Sequence, residues 1–408
     1  MTNKFKELGI SESLLKEILE EKFTEPTEIQ TKAIPKVLEG KDVMAESATG
    51  SGKTLVFGAG ILEKCKLGHG LQALVMTPTR ELAEQVAAAL KGFSKYMPLE
   101  IITVYGGVSI NPQMKALQTA DVVVGTPGRI LDHMERKTIE FRNIKILVLD
   151  EADRMLDMGF IDDVEKIIRR CPKERQTLLF SATLAQDIEG LARRYMNHPS
   201  RLSAEALVDP RKLTQIYYDV QHEEKLSLLV HLLKYEHSGL VMVFCNARVS
   251  VDFVANNLKA EGINAEAIHG GFSQDKRSST MEKFHSQDVV ILVCTDVAAR
   301  GLDIKGVSHV YNFDLPKDSK QYVHRIGRTA RAGKEGKAVS LLSREDHDNF
   351  RRIIRDYHIE AKKENIPGFK KIVPQWTPRP RYQRFERRDE RHATKKRFTA
   401  RKFGQRRY

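Results

Sequence analysis

A continuous apolar run, Ile146–Leu149, is followed at once by three carboxylates within four residues, Asp150, Glu151 and Asp153. Such a run is typical of a strand that is buried on both faces of a parallel sheet. In open α/β sheets, ligands bind just beyond the carboxyl ends of the strands. Carboxylates at that position can hold a hydrated Mg²⁺ together with phosphate oxygens. A solvated acidic turn would have the same sequence, so the rest of the chain must decide between a magnesium site and such a turn.

Strand-like and helix-like segments alternate on both sides of this run. This pattern favours a doubly wound α/β fold with parallel sheets. A second series of the same kind begins at Leu213, and the length of 408 residues is sufficient for two domains. The strands are predicted at residues 42–45, 71–77, 100–105, 121–125, 144–149, 176–180, 215–220, 240–245, 264–268, 289–294, 307–312 and 337–342.

Periodicity is lost between Pro199 and Pro210, so we expect the interdomain linker within residues 200–212. The sequence therefore predicts a first domain at 1–203, a second domain at 213–365 and a tail at 366–408.

A glycine-rich segment separates the first predicted strand from a predicted helix. Strand, glycine-rich loop and helix together are typical of a phosphate-binding loop, in which backbone N–H groups face the phosphates. Lys53 is expected to reach the β- and γ-phosphates, and Thr54 to bind Mg²⁺. Ser47 stands where the pattern GxxxxGK(S/T) has its first glycine. The predicted nucleotide-binding residues of this loop are Thr49, Gly50, Ser51, Gly52, Lys53 and Thr54.

Other predicted strands of the first domain end in small or polar residues, two of them with a single arginine. These suit close approach of a phosphodiester backbone and offer no means of reading bases; taken singly, each is an ordinary turn. The residues concerned are Thr79, Arg80, Gly106, Gly107, Thr126 and Arg129, with Ser181 and Thr183 at the end of a further strand.

The second domain has no phosphate loop of its own. It offers instead residues 295–303 and an arginine-rich segment at 324–333. These arginines fit either a solvated face or a donor cluster directed at phosphate, for which the planar guanidinium is favoured.

Charge is spread unevenly along the chain. The net charge is +13, and from Pro374 onward there are 13 Lys and Arg against 3 Asp and Glu. Arginine-rich segments with scattered aromatic residues bind single strands by charge and stacking, and a solubilising tail is the alternative. The four cysteines are widely spaced, and the N-terminus lacks an apolar leader segment. We therefore expect a cytoplasmic protein that does not associate with membranes.

These motifs, in this order, resemble the DEAD-box ATP-dependent RNA helicases over roughly residues 5–342. The resemblance implies two tandem RecA-like doubly wound parallel-sheet domains, with the basic tail expected to be disordered. It also implies ATP and Mg²⁺ as cofactors, and single-stranded RNA and short RNA duplexes as partners that are bound through the backbone irrespective of sequence. The basic tail is expected to mediate association with ribosomes or ribonucleoprotein particles.

The resemblance also implies roles for individual residues. Phe5 stacks on adenine, and Gln30 bonds to its edge. Asp150 holds Mg²⁺ through water, and Glu151 orients the attacking water. Gly301 and Asp303 are implied to lie at the nucleotide, and Arg328 and Arg331 to act as arginine fingers. The residues implied to couple ATP hydrolysis to RNA release are Asp153, Ser181, Thr183 and His324. Thr295 and Asp296 are implied to contact RNA.

Three positions depart from the family pattern. Lys22 and Ala330 stand where glycine is usual, and Asn246 stands where serine or threonine is common. These departures leave the chemistry in place and bear on local turn geometry and on the selection of adenine.

The first domain supplies Lys53 and Glu151, and the second supplies arginines, so hydrolysis is expected to require closure of the two domains. Three function classes follow. The first is an RNA-stimulated ATPase that unwinds short duplexes. The second is an ATP-gated RNA clamp or assembly scaffold with little unwinding, and the third is a DNA-directed motor, which the resemblance to RNA helicases disfavours.

Overall fold

The strands of this chain pair in parallel, which brings all their carboxyl ends to one edge of each sheet. The computed structural model describes most of the 408 residues, in the ranges 4–47, 50–184, 186–203, 212–236, 239–299, 304, 306–330 and 335–375. The described residues from Lys4 to Pro374 belong to one compact unit.

Within the described residues, two seven-stranded parallel sheets form, which confirms the predicted fold class. We call residues 4–203 the first lobe. Its sheet has the order β3-β4-β2-β5-β6-β1-β7. The strands are β1 Val43–Glu46, β2 Ala73–Met76, β3 Ile101–Val104, β4 Val122–Gly125, β5 Ile146–Leu149, β6 Gln176–Ser181 and β7 Ser200–Ser203.

The helices of the first lobe cover both faces of its sheet. A short 3₁₀ helix, Lys6–Leu8, precedes them. The helices are α1 Glu12–Glu20, α2 Glu28–Leu38, α3 Lys53–Lys64, α4 Arg80–Phe93, α5 Ile110–Ala116, α6 Pro127–Glu135, α7 Ala152–Asp157, α8 Ile161–Ile168 and α9 Gln186–Tyr195.

The central strand β5 is buried on both sides, as its sequence predicts. Ile146 and Val148 pack into one hydrophobic cluster, and Leu147 and Leu149 pack into another on the opposite face. Each fully buried aliphatic side chain contributes about 1.5–3 kcal/mol. The two clusters therefore fix the strand, and with it the position of the carboxylates that follow it.

The second lobe, residues 212–375, repeats this architecture with the strand order β10-β11-β9-β12-β13-β8-β14. Its elements are β8 Leu213–Asp219, α10 Lys225–Tyr235, β9 Leu240–Phe244, α11 Arg248–Ala260, β10 Ala265–Ile268, α12 Gln274–His285, β11 Ile291–Cys294, α13 Asp296–Ala299, β12 Val307–Asn312, α14 Ser319–Ile326, β13 Gly336–Leu342, α15 His347–Tyr357 and β14 Lys362–Lys363, with 3₁₀ helices at His222–Glu224 and Arg344–Asp346.

The predicted linker begins too early. Ser200–Ser203 is not linker but strand β7, which pairs in parallel with β1 along its whole length. At the other end, Phe369 and Ile372 pack against a hydrophobic cluster of the second lobe. The Ile372 amide also donates to Ser227 Oγ at 3.0 Å. Packing against this lobe therefore continues past residue 366, where the tail was predicted to begin.

No helix in the described part of the chain combines the length and the apolar composition needed to cross a bilayer.

Candidate active site and nucleic-acid interface

The phosphate loop runs from β1 to α3, and helix α2 holds its backbone. Gly52 caps α3 with φ +88°, which favours glycine, and a Cβ at Gly52 would lie 2.3 Å from Gln30 Nε2, so a side chain there would displace Gln30. Gln30 Nε2 donates to Gly52 O at 3.0 Å, and Thr27 Oγ1 donates to Ser51 O at 2.8 Å. The first turn of α2 therefore sets the shape of the loop that presents Lys53.

The two residues predicted to bind adenine have protein partners in this structure. Gln30 Oε1 accepts from the Thr27 amide at 2.9 Å, so both ends of its side-chain amide are engaged. Phe5 is fully buried in the core of the first lobe. Their contacts with adenine remain predictions.

Lys53 meets the carboxylates that follow β5. Its Nζ lies 2.8 Å from Asp150 Oδ1 and 4.0 Å from Glu151 Oε1. Arg154 Nη1 donates to Glu151 Oε2 at 2.7 Å, and both of those side chains are 3% exposed. Glu151 has φ +53°, a left-handed conformation that is costly for a non-glycine residue and is often found at functional sites. The structure thus brings together the predicted catalytic residues of the first lobe.

Burial and charge pairing act against each other in this cluster. Burial alone would lower the pKa of Lys53, but Asp150 and Glu151 together outweigh it and leave that pKa raised. Burial raises the pKa of Asp150, while Lys53 acts in the opposite direction. Lys53 is therefore a cation, and a further positive charge would favour the ionised form of Asp150.

Several buried oxygens around the loop have no hydrogen-bond partner among the described residues: Ser47 Oγ, Ser51 Oγ, Asp150 Oδ2, Asp153 Oδ1 and Thr183 Oγ1. Mg²⁺ binds oxygen through one or two carboxylates plus phosphates and water, rather than in an all-protein cage. The described residues contain no cluster of three or more metal-ligating side chains. The oxygens of Asp150, and the hydroxyl of the half-buried Thr54 at the start of α3, are therefore of the kind that fits a magnesium ion shared with a nucleotide.

The residues predicted to contact RNA in the first lobe lie together at the carboxyl ends of β2, β3 and β4. A Cβ at Gly107, whose φ of +83° favours glycine, would lie 1.9 Å from Arg80 Nη1, so any side chain there would displace that guanidinium. Arg129 Nη2 donates to Val108 O at 3.1 Å. Thr79 caps α4 by accepting from the Leu82 amide, and Thr126 precedes α6.

Arg325 is the hub of the second-lobe site. It is 1% exposed, and its Nε and Nη2 bind the two carboxylate oxygens of Asp296 at 2.6 and 2.7 Å. Nη2 also donates to Asn246 Oδ1 at 2.8 Å. The Asp296 carboxylate, which we expected at the RNA, is thus bound to Arg325, and the unusual Asn246 completes the same network. Thr295 is buried beside it.

The two lobes meet at this hub. A small cavity is lined by Arg154 of the first lobe and by second-lobe residues Phe244, Asp296, Ala299, Gln321, His324, Arg325 and Arg328. Lys320 Nζ, on α14, lies 3.8 Å from Asp153 Oδ2 and 3.7 Å from Asp157 Oδ1. The arginine-bearing helix of the second lobe therefore faces the carboxylate segment of the first.

Some predicted residues do not take part in the contacts between the lobes that are described above. Ser181 Oγ donates to Thr183 O at 2.6 Å, so this hydrogen bond stays within the segment that follows β6. Thr49, Gly301, Asp303 and Arg331 lie outside the described residues.

Sequence reasoning missed several residues of the site. Arg277 Nη2 of the second lobe pairs with Glu81 of the first at 2.8 Å. Residues so far apart in the chain leave no local pattern that predicts their pairing. Arg154 was detectable, because it stands three residues after Glu151, a spacing at which helical side chains meet.

Comparison with known proteins gives consistent matches. The profile of the DEAD/DEAH box helicase family matches residues 27–191, and that of the helicase conserved C-terminal domain matches residues 224–333. The chain is 45% identical over 354 residues to the DEAD-box ATP-dependent RNA helicase CshA of Bacillus cereus, covering 86% of this chain and 67% of that protein. For the protein of the same name from Geobacillus kaustophilus, identity is 46% over 343 residues, covering 83% and 73%.

Solved structures match both lobes together. Dbp5 of S. cerevisiae bound to RNA and ADP BeF3 superposes with a TM-score of 0.82 at 33% identity, covering 89% of this chain and 96% of that one. A variant of Dbp5 bound to Nup159, Gle1, IP6 and ADP matches with a TM-score of 0.63 at 31% identity, covering 87% and 95%.

Proposed function

The chain belongs to the DEAD-box family of ATP-dependent RNA helicases, and from this premise we propose that it couples ATP hydrolysis to closure of its two lobes on single-stranded RNA. The protein is an RNA-dependent ATPase. One observation carries the proposal: Arg154, ion-paired with Glu151 of the first lobe, lines the same small cavity as His324, Arg325 and Arg328 of the second. Closure in this arrangement separates the strands of short duplexes.

In the proposed mechanism, Lys53 and the backbone of the phosphate loop bind the β- and γ-phosphates of ATP. Thr54 and Asp150 would hold Mg²⁺, which would neutralise phosphate charge when bound. The unpartnered buried oxygens of the loop and of Asp150 support this assignment.

Glu151 orients the attacking water, and Arg154 holds the carboxylate in place from 2.7 Å. Phosphoryl transfer depends mainly on positioning and charge stabilisation, so a fixed carboxylate is more useful than a mobile one. Arg328, and Arg331 beyond the described residues, stabilise the charge that develops on the transferred phosphoryl group. Because these arginines belong to the second lobe, turnover requires closure.

RNA is bound through its backbone. Arg80, Arg129 and the Gly106–Gly107 loop provide donors and close approach without base readout, which supports binding irrespective of sequence. On the second lobe, we assign contact with the same RNA backbone to Thr295.

The closed arrangement is stabilised by contacts between the lobes. Glu81 with Arg277, and Asp153 with Lys320, are opposite charges on facing lobes. Of the two Dbp5 complexes compared, the one bound to RNA and ADP BeF3 has the higher TM-score, which supports closure on RNA and nucleotide.

We place this activity in the cytoplasm, with the basic tail tethering the protein to RNA or ribonucleoprotein particles. The four cysteines are buried and unpaired, which suits a reducing compartment. Burial raises the pKa of Cys65 to about 12 and that of Cys171 to about 11, so both thiols are protected from oxidation.

Strand separation of a short RNA duplex, measured with ATP, with a non-hydrolysable analogue and without nucleotide, tests the proposal. A DNA duplex of the same sequence is the matched control. We expect ATP-dependent separation of the RNA duplex alone. RNA held tightly with the analogue but no separation with ATP would identify a clamp, and equal activity on DNA would overturn the assignment to RNA.

A further inference from the structure

A buried glutamine lies behind the predicted RNA-contacting residues of the first lobe. Gln113, on α5, is 8% exposed. Its Oε1 accepts from Arg129 Nη1 at 3.2 Å and lies 3.2 Å from His133 Nε2. Its Nε2 donates to Tyr105 O at 3.1 Å. One side-chain amide thus connects α6, which carries Arg129 and His133, to the end of β3.

These bonds enclose the Gly106–Gly107 loop. Tyr105 O precedes the two glycines, and Val108 O, which accepts from Arg129 Nη2 at 3.1 Å, follows them. The loop is therefore held on one side by Gln113 and on the other by Arg129, which is itself bound to Gln113. Two predicted RNA-contacting elements depend on the same amide.

The chemistry of this network assigns the histidine tautomer. An amide oxygen only accepts hydrogen bonds, so His133 Nε2 carries the proton that faces Gln113. The other ring nitrogen, Nδ1, then accepts from the Thr138 hydroxyl at 2.8 Å. Burial, and secondarily the Arg129 charge, lower the pKa of His133. The ring is therefore neutral, and it supports Gln113 without repelling Arg129.

We propose that Gln113, held in place by His133, is a positioning residue that fixes the Arg129 guanidinium and the Gly106–Gly107 loop for contact with the RNA backbone. This inference rests on the proposed function, because it requires that Arg129 bind RNA. An arginine side chain that is already held loses less rotamer freedom when it binds a phosphate. Gln113 thus acts on RNA affinity while lying behind the contacting groups.

Gln113→Leu removes all three bonds at similar volume. The RNA-stimulated ATPase is measured as a function of oligouridylate concentration. Ordering one rotamer-rich side chain on binding costs about two- to tenfold in affinity, so the half-saturating RNA concentration should rise by that factor. The turnover number at saturating RNA and the KM for ATP should stay within about twofold.

Two further variants separate positioning from general stability. His133→Leu should raise the half-saturating RNA concentration, whereas His133→Gln, which keeps an N–H donor toward Gln113, should restore most of the wild-type value. Gln118→Leu alters an exposed amide just beyond α5 and should change nothing. If Gln113→Leu lowers the thermal midpoint but leaves the RNA dependence unchanged, the residue is structural and the proposal is wrong.

Arg129→Ala distinguishes failure of this inference from failure of the proposed function. If Arg129 contacts RNA, its removal raises the half-saturating concentration. Gln113→Leu should then add less than it does in the wild-type background, because the bond to Arg129 is already lost and only the bond to Tyr105 O remains to act on the loop. Full additivity of the two changes would overturn the positioning role. An Arg129→Ala variant with wild-type RNA dependence would instead refute the RNA contact on which the inference rests.

Discussion

Lys53 Nζ lies 2.8 Å from Asp150 Oδ1, and both side chains are almost completely buried. Glu151 Oε1 is 4.0 Å from the same ammonium group. One cation thus separates two carboxylates that would otherwise repel each other in a poorly solvated site. Lys53 therefore has a structural task in addition to the phosphate contact that the sequence predicts.

Lys53→Ala should weaken ATP binding by about tenfold to 150-fold, the loss expected for a charged hydrogen bond to phosphate. It should also destabilise the first lobe by about 3–5 kcal/mol, because a buried pair loses one partner. Nucleotide titration and urea denaturation measure the two effects. Adding Asp150→Asn should recover stability but not ATP affinity. Wild-type ATP affinity in a folded Lys53→Ala variant would refute the phosphate-loop assignment.

Glu151→Gln should leave ATP affinity within a fewfold of wild type and lower turnover by about 10²–10⁴, the range typical of a lost general base. RNA should also be released more slowly, since release follows hydrolysis. Stopped-flow RNA dissociation and steady-state ATPase rates measure these effects. Arg154→Lys is the matched test of orientation: it keeps the charge near Glu151 but not the planar donor group. Normal turnover in Glu151→Gln would mean that another residue positions the water.

The cross-lobe pair Glu81–Arg277 predicts a charge-reversal effect. Arg277→Glu places two carboxylates face to face and should lower RNA-stimulated turnover at subsaturating RNA by about fivefold, since a partly buried pair contributes roughly 1 kcal/mol. Combining it with Glu81→Arg should restore most of the loss. Lys283→Glu, an exposed change of the same sign on α12, is the control. If the double variant is as impaired as Arg277→Glu, the pair does not hold the lobes together.

The sequence predicted those features that local patterns determine. The apolar run Ile146–Leu149 coincides with strand β5. Ser200–Ser203 was missed because its single leucine gives no periodicity, and its pairing with β1 depends on tertiary context. Lys53, Asp150 and Glu151 were each assigned to the nucleotide site, and the structure brings them together because strand ends converge at one edge of a parallel sheet.

The Glu81–Arg277 pair and the Gln113 network were not predicted, because they join segments that are distant in the sequence. A single amide or ion pair of this kind has no periodic signal. The positions of Lys22 and Ala330 were noticed as departures from the family pattern, but the sequence did not show what their backbone would do.

Both of those residues adopt the left-handed conformation that glycine would accept at low cost, with φ +60° at Lys22 and φ +55° at Ala330. A non-glycine residue in the left-handed conformation costs about 1–2 kcal/mol. Replacing it by glycine removes this cost but also increases the conformational entropy of the unfolded chain, which offsets part of the gain. Lys22→Gly and Ala330→Gly should therefore each raise the free energy of unfolding by about 0.5–1 kcal/mol. Urea midpoints measure this. Ala88→Gly, at an exposed position inside α4, should instead lower the free energy of unfolding by about 1 kcal/mol. Destabilisation by all three changes would show that the left-handed positions are not strained.

The basic tail should act as an electrostatic tether that is separate from catalysis. Residues 376–408 contain 13 Lys and Arg against 3 Asp and Glu, and none of the predicted catalytic residues. Ending the chain after Gln375 keeps Phe369 and Ile372, which pack on the second lobe. Each phosphate neutralised on a single strand contributes about −0.7 to the slope of log affinity against log salt. Truncation should therefore weaken RNA binding and flatten that slope by several units.

Turnover at saturating RNA should change little in the truncated protein, because Lys53, Glu151 and Arg328 all remain. The half-saturating RNA concentration should rise, and the rise should be largest at low salt, where unscreened charges act over longer distances. A full-length variant with the tail arginines and lysines replaced by glutamine separates charge from length, and it should behave like the truncation. Loss of ATPase activity at saturating RNA would make the tail part of the closed state. An unchanged salt slope would show that the tail does not bind RNA, since counterion release accompanies every phosphate contact.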